Sequence, residues 1–499
     1  MRLSGLIQGT GARGPLGSDP EVALVTGDSR AVRPGAVFFA LVGVKADGHA
    51  FAAEAAARGA VAVVAEREVA CAPALLLLAP SARRAMAIAA CNFFGRPGDA
   101  MKVVGVTGTN GKTTVTYLVE ACARAAGLPA CVLGTVTHRW PGGSRPASHT
   151  TPESTEVAST LAAARDAGAR LAVLEVSSHA LAQERAAGLA IDVAGFTNLT
   201  RDHHDYHGDL ERYFEAKRRL FFEHLRPSGM AVANADDSFG SRLADELEAA
   251  GGATVWRFGL RGGPDLSAHG CRFGLSGIEA ELTTPAGPVA LRSPLVGAHN
   301  LENLLCAAGL ALAAGIPRES VERGLAACPG APGRLERVEG RGISAFVDYA
   351  HTPDALARAL AALRALAPRR LIVVFGCGGD RDRGKRPLMG EVAARAADLA
   401  VVTSDNPRSE DPAAIIAEIV PGLERAGLRR LAASTLLAGD SGYLVVPGRR
   451  EAIFLALSAA RSGDAVLIAG KGHEDYQVVG NERLPFDDRD EARRALGVV

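Results

Sequence analysis

Several things are scarce in this 499-residue chain, and each scarcity excludes something. There is no net charge: Lys+Arg and Asp+Glu both number 55, so no excess of one sign grips nucleic acid or an anionic membrane. Aromatic residues make up only 5%, which argues against a protein that stacks bases. The most apolar short run, residues 74–79, is far shorter than the ~20 residues a bilayer crossing needs. The first twenty residues carry Gly, Arg and Asp but no apolar stretch of the kind that forms a secretory signal, so a cytoplasmic protein is expected. Eight cysteines are scattered with no CxxC pair, the pattern of free thiols in a reducing compartment rather than of disulfides or zinc ligands. Lysine is scarce as well. Only six of the 55 basic residues are Lys (45, 102, 112, 217, 385 and 471). Where Arg supplies the surface charge, each Lys is worth inspecting, because an ammonium can lose its proton and a guanidinium cannot.

What is present is ordinary globular material. Hydrophobic residues form 48% and charged residues 22%, and the length suits about three domains. Up to residue 97 the runs AVFFALVG and AVAVVAE, with a helix at 52–57 between them, predict a small α/β domain. Gly and Pro in FFGRPGDAM mark its end. Residues 98–328 open with the β-branched strand KVVGVT and contain the continuous apolar runs LAVLEV and DVAGF, which suit a buried parallel sheet. After PGAPGRLE, residues 329–499 alternate strands (ISAFVDYA, LIVVFG, LAVVTS, AVLIAG) with helices beginning near Pro353, Arg386, Pro412 and Arg450. That rhythm predicts a second doubly wound parallel sheet.

The most specific local motif is GTNGKTT, spanning Gly108, Thr109, Asn110, Gly111, Lys112, Thr113 and Thr114, between a strand and a helix. Glycines let backbone N–H groups crowd around phosphate oxygens, and the helix start adds a positive dipole. Lys112 can reach terminal phosphates and the Thr113 hydroxyl can ligate Mg²⁺. A strict pattern would place glycine at 106, where this chain has Val106, so the first glycine is Gly108.

Glu175 closes the strand LAVLEV, a position that suits a Mg²⁺ ligand in a phosphate-loop sheet. The next strand runs into TNLTRDHHDYHGD, where Asp202, His203, His204, Asp205 and His207 crowd into six positions. Any single His there reads most simply as part of a solvated turn; the cluster as a whole suggests metal or phosphate work. Lys217 follows in YFEAKRRLFF, within a stretch over 209–225 that reads as helical, among aromatic neighbours that suggest partial burial. An ammonium at ~4 Å from Mg²⁺ would cost several kcal/mol, so a lysine beside the metal must be neutral or become an anion, for instance a carbamate.

The strings GTNGKTT, EVSSHALAQER, TNLTRDHHDYHGD, YFEAKRRLF, LVGAHNLENLLCAAG, PGRLE, VDYAHTPDAL, DNPR and GKGHEDY occur in this order and together resemble the Mur ligases over nearly the whole chain. The resemblance implies three domains: a small α/β UDP-binding domain, a central phosphate-loop ATPase and a C-terminal Rossmann-like domain. It implies an ATP-dependent ligase of peptidoglycan precursor synthesis. ATP phosphorylates the D-Glu γ-carboxylate of UDP-MurNAc-L-Ala-D-Glu, and the amine of an incoming amino acid captures the acyl phosphate. By the same resemblance Lys112 and Thr113 serve the phosphates and Mg²⁺, Glu175 and His203 ligate Mg²⁺, and Lys217 is carbamylated. Asn300, Arg334 and Asp348 contact ATP. Ser29, Val44, Lys45, Ala46, Thr150, Thr151, Ser177, Gln183 and Arg185 hold the UDP-MurNAc-dipeptide. The expected partners are these small molecules, with no nucleic acid and no membrane insertion, and the protein is expected to act as a monomer.

Within this family DNPR resembles the version that selects meso-diaminopimelate. Arg408 can pair in bidentate fashion with its distal carboxylate, while Asp405 and Asn406 can hold the distal ammonium and orient the loop, which Pro407 completes. Arg381, Gly470 and Glu474 match the remaining amino-acid contacts. Three alternatives stay open on the sequence: a lysine-adding relative, a regulatory phosphate-loop ATPase without ligase chemistry, and a folylpolyglutamate-type ligase. Lysine would leave Arg408 unpaired, which binding sites penalise strongly.

Overall fold

The computed structural model describes the chain except residues 16, 44–45, 201, 203, 262–264, 433–440 and 499. The described residues fall into two compact units. The first comprises 1–268, 282–289 and 302–325; the second comprises 269–281, 290–301 and 326–499.

The first unit opens with a parallel four-stranded sheet of β1 (Leu24–Thr26), β2 (Ala36–Phe39), β3 (Ala60–Ala65) and β4 (Leu75–Leu78), in that order. The helix Ala52–Ala57 lies between β2 and β3, where the Ala-rich run AAEAAA placed it. A larger sheet follows, built from β5 (Lys102–Thr107), β6 (Ala130–Leu133), β7 (Thr137–Trp140), β8 (Gly143–Pro146), β9 (Leu171–Glu175), β10 (Ile191–Phe196), β11 (Leu225–Asn234) and β12 (Thr254–Phe258). Its spatial order is β12-β11-β10-β5-β9-β6-β7-β8. The strands from β12 to β6 run parallel, and β7 and β8 turn back antiparallel at the edge. All five residues of β9 are buried, as are five of the six in β5, which is why these strands read as unbroken apolar runs. The helix Lys112–Ala125 packs its stripe of Val115, Leu118, Val119 and Cys122 inward, the i, i+3, i+4, i+7 spacing of one helix face.

The second unit carries a six-stranded sheet of β16 (Glu336–Gly340), β17 (Ile343–Asp348), β18 (Leu371–Phe375), β19 (Leu399–Val402), β20 (Gly442–Val445) and β21 (Ala465–Ala469), preceded in the chain by the short strands β13 (Ser267–Gly274), β14 (Gly277–Thr283) and β15 (Val289–Ser293). The order is β16-β17-β21-β18-β19-β20, with β16 antiparallel and the others parallel. Two apolar cores flank this sheet, one centred on Phe346, Leu363 and Ile419 and the other on Val347, Ile453 and Leu457. The last strand, β21, inserts between β17 and β18. Chain direction therefore splits at that point, and the loops after β17, β18, β19 and β21 gather at one sheet edge, the place where open α/β sheets bind ligands. A hairpin of β22 (Tyr476–Val479) and β23 (Glu482–Pro485) follows.

Two local expectations change. The helix expected over 209–225 is an α-helix only over Leu210–Arg219, and it closes with a wider π-type turn, Leu220–His224. Strand β20 was not read from the sequence, because GYLV is short and opens on a glycine.

Candidate active site

In the first unit the site grows from sheet register. Val106 of β5 pairs with Glu175 of β9, and Thr107 pairs with Phe196 of β10, so the loop after β5 leaves the sheet between two neighbours whose ends face the same way. Gly108 (φ 143°) begins that loop, and a Cβ there would stand 1.9 Å from Thr197 Oγ1. Asn198 clamps the loop from β10, accepting at its backbone oxygen from Thr109 N (2.7 Å) and at Oδ1 from Asn110 N (3.0 Å). Lys112 donates to the carbonyl oxygens of Gly108 and Thr109, both at 2.9 Å, so its ammonium lies over the loop. Thr114, two residues further on, is buried.

Glu175 is 1% exposed yet holds its carboxylate at the end of β9. Its Oε2 accepts from Thr113 Oγ1 and from Thr135 Oγ1, both at 2.9 Å, and its Oε1 accepts from Thr135 N at 2.8 Å. A hydroxyl and a carboxylate side by side at the start of a phosphate-loop helix are hard oxygen donors of the kind Mg²⁺ takes. Thr135 was not singled out in the sequence; it sits after β6, remote in the chain, and only the sheet brings it to Glu175.

Lys217 is 1% exposed and donates to Gly108 O at 2.7 Å. Its ammonium also sits 4.4 Å from the centre of the Tyr213 ring. Burial pushes this amine well below the usual lysine range, the nearby Lys112 adds to the effect, and Asp202 opposes it. Burial raises the Tyr213 phenol to about 12, so it stays protonated.

The acidic and histidine-rich turn is described only in part. Among the described residues no three His, Cys, Asp or Glu side chains converge as a metal site. His207 is buried and shares a hydrogen bond with Ser178 Oγ at 3.0 Å, while Asp202 is exposed. His203 and the side chains of His204 and Asp205 lie outside the described residues, as do Val44 and Lys45.

Five of the residues expected at the sugar-nucleotide peptide, Thr150, Thr151, Ser177, Gln183 and Arg185, form a connected set beside Glu175. Thr151 Oγ1 donates to Glu175 O (2.7 Å) and accepts from Ser177 N (3.0 Å). Arg185 donates to Thr151 O and to Gln183 Oε1, both at 2.8 Å, and pairs with Glu153 at 2.8 Å. Thr150 Oγ1 is 3.1 Å from Thr135 Oγ1. Ser29 begins a short turn capped by Asp28, and Ala46 O accepts from Gly43 N at 2.9 Å.

In the second unit Asp348 ends β17 and accepts from Leu335 N (2.7 Å) and Ala350 N (2.8 Å). Burial raises this carboxyl, and Arg334 pulls it back. The Arg334 guanidinium lies 5.1 Å over the Tyr349 ring. Asn300 is buried and donates to Val296 O at 2.9 Å.

The DNPR loop follows β19. Asp405 and Asn406 are each 6% exposed. Asn406 Nδ2 donates to Glu474 Oε2 at 3.0 Å, while its Oδ1 accepts from Val478 N and from Lys471 Nζ, both at 2.9 Å. Both lone pairs of that oxygen are filled, so Asn406 acts here to orient Glu474 and leaves the ammonium-acceptor role to the carboxylates. Pro407 O accepts no Cβ nearby: one on Gly379 would stand 1.9 Å from it. Arg408 adopts φ 51° and is tied by its backbone to the hairpin, donating to Val478 O (3.1 Å) and accepting from Gly480 N (2.7 Å). One side-chain nitrogen of Arg408 donates to Gly379 O at 2.8 Å. Arg381 is exposed and donates to Asp380 O at 3.1 Å. Gly470 (φ 123°) runs beside Asp405, where a Cβ would be 2.8 Å from Oδ2. Burial is the largest influence on Glu474 and raises its carboxyl.

A phosphate loop with an adjoining Thr–Glu pair, followed by a second Rossmann-like sheet with polar loops at its switch point, defines a nucleotide-dependent α/β enzyme. Three family models match the chain: the Mur ligase family catalytic domain over residues 21–92, the Mur ligase middle domain over 106–311 and the Mur ligase glutamate ligase domain over 333–472. The chain belongs to the Mur ligase family and is an ATP-dependent, amide-bond-forming ligase. It is 49% identical over 478 residues to the UDP-N-acetylmuramoyl-L-alanyl-D-glutamate–2,6-diaminopimelate ligase of Geobacter metallireducens, covering 94% of this chain and 93% of that one. It is 45% identical to the ligase of the same name from Gloeobacter violaceus, covering 99% and 98%. A solved structure of a ligase bearing that name is 35% identical, covers 95% of both chains and superimposes with a TM-score of 0.73. Among the described residues no helix is long and apolar enough to cross a membrane.

Proposed function

We propose that this protein adds meso-2,6-diaminopimelate to the D-Glu γ-carboxylate of UDP-MurNAc-L-Ala-D-Glu, in the cytoplasm and as a monomer. The observation that carries the choice of amino acid is the loop pair at the end of β19 and β21. Arg408 offers a guanidinium, and Glu474, oriented by Asn406, offers a carboxylate. A distal end that is itself an ammonium and a carboxylate needs one of each. Lysine supplies the ammonium alone and would strand Arg408. Gly470 and Arg381 complete this amino-acid site.

Lys112, with the backbone of Gly108, Thr109, Asn110 and Gly111, receives the ATP phosphates, and Thr114 supports the first helical turn. Asn300, Arg334 and Asp348 contribute nucleotide contacts. Ser29, Ala46, Thr150, Thr151, Ser177, Gln183 and Arg185 hold the UDP-MurNAc-dipeptide. Thr113 and Glu175 fit a magnesium ion, which when bound offsets the charge of the triphosphate. Lys217, whose burial beside Lys112 favours loss of its proton, is the site of the carbamate. The γ-carboxylate attacks the γ-phosphorus of ATP and releases ADP. The neutral amine of the amino acid then attacks the acyl phosphate, and the tetrahedral adduct expels phosphate and loses a proton. The protein supplies position and charge and needs no nucleophile of its own.

The test is phosphate release by the purified protein with ATP, Mg²⁺ and UDP-MurNAc-L-Ala-D-Glu across a panel of amino acids. Release with meso-diaminopimelate and not with lysine is expected. Release with lysine alone would overturn the assignment, and release without the sugar-nucleotide peptide would favour a regulatory ATPase.

A further inference from the structure

Lys471 is one of the six lysines, is fully buried, and has no part in the chemistry above. An ammonium removed from water needs close compensation. Lys471 finds it in Asn406 Oδ1 at 2.9 Å, Tyr476 O at 2.8 Å and Asp405 Oδ1 at 3.3 Å. Two of these three partners belong to the DNPR loop, and the third starts the hairpin against which Arg408 is pinned.

The consequence lies in the Asn406 amide. Lys471 Nζ and Val478 N are both donors and both face Oδ1, so the amide cannot turn over without setting its NH₂ against two donors. Held this way, the NH₂ faces Glu474 Oε2. The same ammonium stands beside Asp405, so it counters a second negative charge close to Glu474.

We infer that Lys471 is a positioning residue for amino-acid selection: it locks the Asn406 amide toward Glu474 and balances Asp405, so that Glu474 is presented as an oriented, ionised acceptor for the distal ammonium of the substrate. The inference rests on the diaminopimelate reading above and deepens it. An apolar side chain of the same length would fill the space but would release the amide and leave two carboxylates facing each other. The groups that face Glu474 are Asn406, Asp405, Lys471, Arg449, His351 and the Tyr349 phenol. Loss of the Lys471 charge therefore moves proton uptake by Glu474 to higher pH.

The experiment is steady-state kinetics of Lys471→Met against the unaltered protein, varying each substrate and pH. The KM for diaminopimelate should rise about tenfold or more, the scale of a hydrogen bond to a charged group, while the KM values for ATP and the UDP-dipeptide stay within about twofold. The acid limb of 1/KM for diaminopimelate should move to higher pH. If Lys471→Met does not fold, Lys471→Gln keeps a donor in the same space without the charge. For that variant a smaller rise in KM with the same displaced limb is expected. An unchanged KM for diaminopimelate, or equal changes in all three KM values with an unmoved limb, overturns the inference and leaves the diaminopimelate reading intact. Absence of diaminopimelate-dependent turnover in the unaltered protein removes both.

Discussion

Lys112 and Lys217 converge on one acceptor. The carbonyl oxygen of Gly108 takes a hydrogen bond from Lys112 Nζ at 2.9 Å and from Lys217 Nζ at 2.7 Å. Two ammonium groups on one oxygen repel, and the buried one yields its proton more readily. A neutral amine is the form that adds CO₂, releasing a proton and leaving an anion in place of a cation. The geometry therefore favours modification at Lys217 over Lys112.

Replacing Lys217 by Ala is expected to abolish phosphate release and to allow partial rescue by a small carboxylic acid that occupies the vacated space. Intact mass under native, CO₂-equilibrated conditions should show the carbamate on the unaltered protein and its absence in the variant. Full activity of Lys217→Ala without any added acid would remove the role.

Glu175 and Thr113 share a hydrogen bond at 2.9 Å, and both are proposed to face magnesium. Glu175→Gln keeps the shape but loses the charge. The Mg²⁺ concentration for half-maximal phosphate release should rise roughly tenfold or more, in the range seen when a metal site loses a ligand or its supporting group. A chelator should abolish turnover of the unaltered protein, and Mg²⁺ should restore it.

Gly108 combines a positive φ with the close approach of Thr197. Gly108→Ala must shift the loop, a strain of about 1–3 kcal/mol. Thermal stabilisation by ATP should fall sharply, while stabilisation by the UDP-dipeptide persists. Equal loss of both would point to global damage rather than to the phosphate loop.

Arg408→Ala should raise the KM for diaminopimelate far more than that for ATP. Arg408→Lys should rescue little, because a single ammonium cannot reproduce a planar fork held at φ 51°. Equal effects on the two KM values would count against the assignment.

Burial pushes His224 down from its ordinary 6.5 to about 4. The unfolded chain takes up a proton on this residue below 6.5, whereas the folded chain resists until about 4, so stability falls as pH drops through that window. The loss is of the order of 3 kcal/mol from this residue. Urea unfolding at pH 7 and pH 5 should show the decline, and His224→Gln should flatten it.

Much of the scaffold was legible in the residues themselves. Strands β5, β9, β17, β18, β19 and β21 are apolar runs buried on both faces, and the helices after them open with recognisable caps such as Thr352 before Pro353 and Asp411 before Pro412. The phosphate loop was legible because glycine, lysine and threonine at fixed spacing between strand and helix are local chemistry. The edge strands β7 and β8 were not read, since their mixed polarity, THRW and GSRP, carries no period of its own. The histidine-rich turn suggested a cluster; of its members the structure describes the contacts of His207, which turns to Ser178.

What the chain encodes locally is the family of folds, the phosphate loop and the DNPR string. What required the folded molecule is who meets whom: Thr135 with Glu175, Lys217 with Gly108, Lys471 with Asn406. These partners lie 40, 109 and 65 residues apart. Periodicity and turn chemistry act over a few residues, whereas such pairings are set by strand order and register, which depend on the packing of the whole sheet.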